Sequence, residues 1–164
     1  KRFLSCLIIF LACSCSKFEE SDIPHAAVYL KIDLRFEDND LVGIYNHKSI
    51  TKARIAGERT GYAGVLVVCG IDSYGNTAYF AFDLCCPHEV KKDILIEPGN
   101  TGTATCPECG TEYDIAAYGG SGAPVKGISQ YPLRRYSVFP ESADKQVWIA
   151  EIKKRKIKRF FFGK

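Results

Sequence analysis

Apolar and polar residues alternate without a break after Ala27: Val28, Leu30, Ile32, Leu34 and Phe36 on one side, Tyr29, Lys31, Asp33 and Arg35 on the other. A period of two predicts a half-buried β-strand over 26–36, because successive strand side chains point to opposite faces. "EDND" then reads as a turn, and "LVGIYN" and "KSITKARI" as shorter strand candidates. "GVLVVCG", 64–70, is a continuous apolar run of buried-strand length. The turn residues of "DSYGN" join it to "TAYFAFDL" in a hairpin that delivers the chain to Cys85 and Cys86. "DILIE", "TATC" and "TEYDI" are further short strand candidates, with a turn at "PGNTG". "AAYGGSGAPVKG" is a Gly-rich loop, and "LRRYSVF" and "QVWIAEI" close the chain as strands. No stretch shows the amphipathic period of a three-turn helix. Many short strands with frequent turn signals predict an all-β fold, a small antiparallel barrel or sandwich.

The 164 residues suffice for one domain and are too few for two large ones. The ends read differently from the middle. Lys1 and Arg2 precede a short apolar run, Phe3 to Ala12, which fits the h-region of a secretory signal and is too short for a stable membrane span. The "LACSCSK" that follows resembles the lipobox of bacterial lipoproteins. Residues 1–15 are therefore expected to be a lipoprotein signal, with Cys15 (or Cys13) acylated, and 16–25 a polar linker ending near Pro24. The domain would occupy 26–152. Residues 16–152 carry a net charge of −6, whereas 153–164 hold seven basic residues and no acid. That tail reads as a solvated terminus, or as a contact for anionic lipid headgroups beside Phe160, Phe161 and Phe162. The expected location is the cell envelope, at the outer membrane or a periplasmic face, with the membrane engaged through the lipid. Nucleic acid is not an expected partner of an exported chain.

Placement outside the cytoplasm permits disulfides. Setting aside Cys6, Cys13 and Cys15 leaves Cys69, Cys85, Cys86, Cys106 and Cys109, an odd number that cannot all pair within one chain. Cys69 falls in a buried-strand pattern and Cys85 at a strand end; both read as small core residues, and a cross-hairpin bridge between them is conceivable. Asp83 and Glu89 flank the motif and read as ordinary solvated carboxylates. The chemistry lies in Cys86-Pro87-His88 and Cys106-Pro107-Glu108-Cys109. Each short spacing lets one tight loop aim two side chains at one centre, and the stretch between them can fold back as a hairpin that brings the loops face to face. Thiolates and imidazole serve zinc and iron–sulfur clusters alike.

From about Gly64 to Ile149 the chain resembles the Rieske [2Fe-2S] family. Cys86, His88 and Cys106 fall on the first three ligand positions of that pattern, and Gly110, Tyr113 and Asp114 match the run after the fourth. "GGSGAP", Gly119 to Pro124, resembles the Gly/Pro loop that covers the family's cluster, with Gly110, Gly122 and Pro124 as candidate cofactor contacts. "YPLRRYSV" resembles the strand after it. The resemblance implies a cluster-binding part at about 84–124, with 26–63 as base strands. It implies Cys86 and Cys106 on an inner iron, and His88 with the fourth ligand on an outer one. The expected activity is one-electron transfer to a redox partner protein, as a module of an oxidoreductase system and not as an enzyme by itself.

The fourth position holds Cys109 where the family has His. A thiolate adds negative charge, so the reduction potential of such a cluster should fall, and loss of an imidazole should weaken proton coupling. Three readings stay open at this point: a [2Fe-2S] carrier with a Cys₃His site, a Zn2+ on the same four residues, and a metal-free domain with oxidised cysteines.

Overall fold

The structure is a computed structural model, and it describes residues 21–151. The expected signal segment, Cys13, Cys15, the start of the linker and the basic tail lie outside the described residues. The fold is all-β. Its larger sheet contains β1 (Val28–Asp33), β2 (His47–Ile50), β3 (Arg59–Thr60), β4 (Val65–Ile71), β5 (Thr77–Asp83), β10 (Arg135–Pro140) and β11 (Val147–Glu151). These run in the order β2-β4-β5-β10-β11-β1-β3, with every pairing antiparallel, in a nearly closed barrel. The smaller sheet comprises β6 (Glu97–Pro98), β7 (Thr103–Thr105), β8 (Glu112–Asp114) and β9 (Pro124–Lys126), paired in chain order. Among the described residues no helix is long and apolar enough to cross a membrane.

The β4–β5 hairpin is the spine. Its register runs from Ile71↔Thr77 to Val65↔Asp83. Both faces of β4 are covered, which is why its sequence is apolar throughout instead of alternating. Leu66 and Val68 point into one core with Phe80, Phe82, Leu84 and the motif cysteines. Val65, Val67 and Cys69 point into a second with Leu30, Ile32, Tyr79 and Trp148. Tyr79 and Trp148 meet edge to face at 5.1 Å. The period-two pattern of β1 supplies Val28, Leu30 and Ile32 to the second core.

Several expectations change. "LVGIYN" is not a strand: a 3-10 turn, Asn39–Leu41, leads into a loop in which Gly43 and Tyr45 have φ of 132° and 67°. Regular strand backbone is impossible at those two residues. "KSITKARI" stops being strand at Ile50. "DILIE" yields a single bridge, Leu95 to Cys85, before β6. The Gly-rich loop contains a strand, β9, that its composition hides. Ile23, within the expected linker, is buried in the first core, while Pro24 accepts a hydrogen bond from Arg134 through its carbonyl at 2.7 Å. An isolated apolar residue in a polar tract gains most by finding a slot in the core. Cys69 and Cys85 are free thiols in different cores, so the cross-hairpin bridge does not form.

Candidate metal centre

Two loops carry the cysteines, and they share one backbone form. In the first, the Val90 N–H donates to the Cys86 carbonyl at 2.9 Å; in the second, the Gly110 N–H donates to the Cys106 carbonyl at 3.0 Å. Each loop opens Cys-Pro and closes on a left-handed residue, Val90 with φ 54° and Gly110 with φ 67°. Glycine adopts that conformation freely, but a β-branched residue does so only under strain. The first loop leaves β5 and is tied back by the Leu95–Cys85 bridge; the second joins β7 to β8.

The Asp83 carboxylate fixes the entry to the first loop. It is completely buried and accepts hydrogen bonds from the N–H groups of Tyr62, Ala63 and Cys85 and from the Tyr136 hydroxyl, the last at 2.6 Å. The sequence reading of a solvated carboxylate is thereby corrected, since four donors from three segments replace water. Burial first, and then the neighbouring Asp83 charge, push the Tyr136 phenol well above the ordinary tyrosine range. The Cys85 thiol, also buried, donates to the Lys91 carbonyl at 3.4 Å, and burial followed by the charge of Asp83 pushes it up to about 12. It is a neutral packing group.

The loops bring three sulfurs together. The ligand atoms of Cys86, Cys106 and Cys109 all lie within 4.8 Å of one another, and the Cys86 and Cys109 sulfurs are 3.8 Å apart. Cys86 and Cys106 are buried, whereas Cys109 is half-buried at the rim. Burial pushes the Cys106 thiol up to about 12, even though the N–H groups of Cys109 and Glu108 point at its sulfur. Burial also opposes ionisation of Cys109, but hydrogen bonds from the Thr111 hydroxyl and N–H, and from the Cys106 and Cys86 thiols, outweigh it and hold Cys109 below the usual thiol range. Of this pair, Cys109 is the first to carry charge.

Thr111 and Tyr113 line the sulfurs. The Thr111 oxygen accepts the N–H groups of Ile128 and Ser129 at 3.2 and 3.1 Å and lies 3.3 Å from the Cys109 sulfur. A hydroxyl has two acceptor sites and one proton. The neutral Cys109 thiol donates to this oxygen; once the sulfur ionises, the Thr111 proton is the one available to it. The Tyr113 hydroxyl lies 3.5 Å from the Cys86 sulfur, and burial, then contact with Cys86, raise its pKa. The motif had marked Tyr113 without giving it a role, and Thr111 had gone unmarked. The alternation Thr111, Tyr113, Ile115 would have found it, because all three face inward.

The other expected residues make no contact with the sulfurs among those described. Neither His88, which is exposed, nor Glu89, which is half-buried, is among the converging ligand atoms. Gly110 closes the second loop. Gly122 donates to the Asp114 carbonyl at 2.8 Å, and Pro124 pairs with Tyr113 across β8 and β9. Asp114 anchors the Gly-rich loop through the N–H groups of Tyr118 and Ser121. Contact between that region and the sulfur site comes from Ile128 and Ser129, through Thr111.

Three soft donors with hydrogen-bonded sulfurs could hold a thiophilic metal ion. Four thiolates around zinc at about 2.3 Å stand about 3.8 Å from each other at the corners of a tetrahedron. In a two-iron core, ligands on opposite irons are separated by the iron–iron distance plus the outward reach of both bonds, and so cannot be in contact. Comparison with protein-family models, curated proteins and solved structures finds no match for this chain.

Proposed function

We propose that this chain is a metal-binding protein of Rieske-like design, carried at the bacterial cell envelope by a lipid on Cys15 (or Cys13). The observation that carries the reading is the convergence of Cys86, Cys106 and Cys109 within 4.8 Å, from two loops of the same backbone form. Hydrogen-bond partners at the sulfurs, from Thr111, Tyr113 and backbone N–H groups, suit thiolates held on a metal.

Two occupants suit these donors. The order of the motif favours a [2Fe-2S] cluster, with Cys86 and Cys106 on the inner iron and Cys109 with His88 on the outer. Such a cluster would supply one-electron transfer to a partner protein. The 3.8 Å contact between Cys86 and Cys109 favours a single ion. Metal analysis of the anaerobically purified chain tests the common claim: bound metal in the parent, lost in Cys106→Ser, is the expected result. A parent that binds no iron, zinc or other thiophilic ion when each is supplied under reducing conditions would refute it.

A further inference from the structure

Given the metal-binding reading above, the loops themselves discriminate between the two occupants. As the sulfurs stand, they do not fit a two-iron core. Cys86 and Cys109 would sit on different irons, yet their sulfurs touch at 3.8 Å, and Cys106 shares the same 4.8 Å neighbourhood. That spacing is the edge of a tetrahedron of thiolates around one ion.

The matching backbone of the loops indicates the fourth corner. Superposing their roles in sequence, Cys86 corresponds to Cys106, Pro87 to Pro107, His88 to Glu108, Glu89 to Cys109 and Val90 to Gly110. In the second loop the ligands are the first and fourth residues. The fourth residue of the first loop is Glu89, not His88. Neither side chain is among the converging donors as they stand, so a ligand from this loop has to turn in; Glu89 is the better sheltered, its side chain 17% exposed and 3.8 Å from the Lys91 ammonium, whereas His88 is exposed. Val90 supports the comparison. A β-branched residue held at φ 54° marks a loop forced into the shape that glycine allows in its counterpart.

We propose that Cys86, Cys106 and Cys109 hold one tetrahedral zinc ion and that the fourth donor is the carboxylate of Glu89. The first loop then uses its fourth residue as the second loop does. The half-buried rim positions of Glu89 and Cys109 put that side of the ion towards solvent. Lys91 beside Glu89 offsets part of the charge of three thiolates and a carboxylate around a divalent ion.

The test uses the full chain, produced with iron and zinc both supplied and purified without oxygen. The expected result is about one zinc per chain and no acid-labile sulfide. Replacement by cobalt(II) should give the intense visible bands of tetrahedral thiolate coordination. His88→Ala should keep its zinc against a competing chelator, and Glu89→Gln should release it at lower chelator concentration, with the far-ultraviolet dichroism of both variants unchanged. Two irons and two sulfides per chain would overturn the single-ion proposal while leaving the metal-binding reading standing. Absence of any metal would overturn both. Release of zinc from His88→Ala, or its full retention by Glu89→Gln, would overturn the assignment of the fourth donor.

Discussion

Replacing Asp83 by Asn is the sharpest test of how the first loop is held. Asn has the same shape, so packing is kept and only hydrogen-bond polarity changes. One carboxylate oxygen accepts from Ala63 and Cys85, the other from Tyr62 and Tyr136. The amide does best with its NH2 towards Tyr62 and Tyr136, because the phenol can turn to accept from it, but the Tyr62 N–H is then opposed by an NH2 group. One hydrogen bond to a charged group is lost, at about 1.5–3 kcal/mol, its donor is left unpaired, and the other bonds lose their charge assistance. Relief of the cost of burying a charge offsets part of this, leaving an expected loss of about 2–4 kcal/mol. Small domains have only about 5–15 kcal/mol in total. Urea unfolding of the metal-free chain, followed by fluorescence of Trp148, measures it as a lower midpoint at unchanged slope. Tyr136→Phe removes one donor and keeps the carboxylate, so it should cost only about 1–2 kcal/mol. An Asp83→Asn chain within about 1 kcal/mol of the parent would refute the account of a carboxylate required by four donors.

The remaining predictions follow from the same contacts. Thr111→Val keeps the shape but removes the proton offered to Cys109 and the acceptor for Ile128 and Ser129; metal retention against a chelator should weaken about 10–100-fold, and retention equal to the parent would sink the role given to Thr111. Gly127→Ala should destabilise the domain by about 3 kcal/mol or more, because φ is 110° and the added carbon would lie 2.6 Å from the Thr111 backbone; a thermal midpoint like the parent's would contradict this. Glu58 is buried, which opposes ionisation, but hydrogen bonds from the Arg54 side chain and backbone prevail and lower its pKa below 4.5. Its folded-state pKa lies below its unfolded one, so its stabilisation is present above the unfolded value and is lost as pH falls through the folded one. Acid titrations of the parent and Glu58→Gln should therefore converge at low pH, and parallel curves would argue against the Arg54–Glu58 contribution.

Alternation made β1 legible, a continuous apolar run made β4 legible, and turn residues showed where β4 and β5 join. Each is a local signal, set by which faces of a strand are covered. The short elements around the metal loops were less legible. β6 and β9 are two and three residues long and owe their existence to a neighbour, not to their own side chains. The loop at Gly43–Tyr45 carries a strand-like composition but a backbone that only tertiary contacts hold, among them the Tyr45 N–H to the Cys69 carbonyl at 2.9 Å. Cys86, Cys106 and Cys109 were readable as candidate ligands from their spacing, but the same spacing named His88, which the fold leaves outside the group. Asp83 was misread, since a lone acid in a sequence gives no sign of four donors arriving from residues 62, 63, 85 and 136.

By itself the sequence determined the all-β class, the hairpin that delivers the first ligand loop, and the residue types able to bind a thiophilic metal. Those follow from periodicity and donor chemistry, which are properties of neighbours along the chain. Only the tertiary structure decided that three sulfurs meet within 4.8 Å, that His88 stays outside them, and that Thr111, Tyr113 and Asp83 hold the arrangement in place. Distances between loops separated by a hairpin depend on register and core packing, and these are fixed only when both sheets close on a common interior.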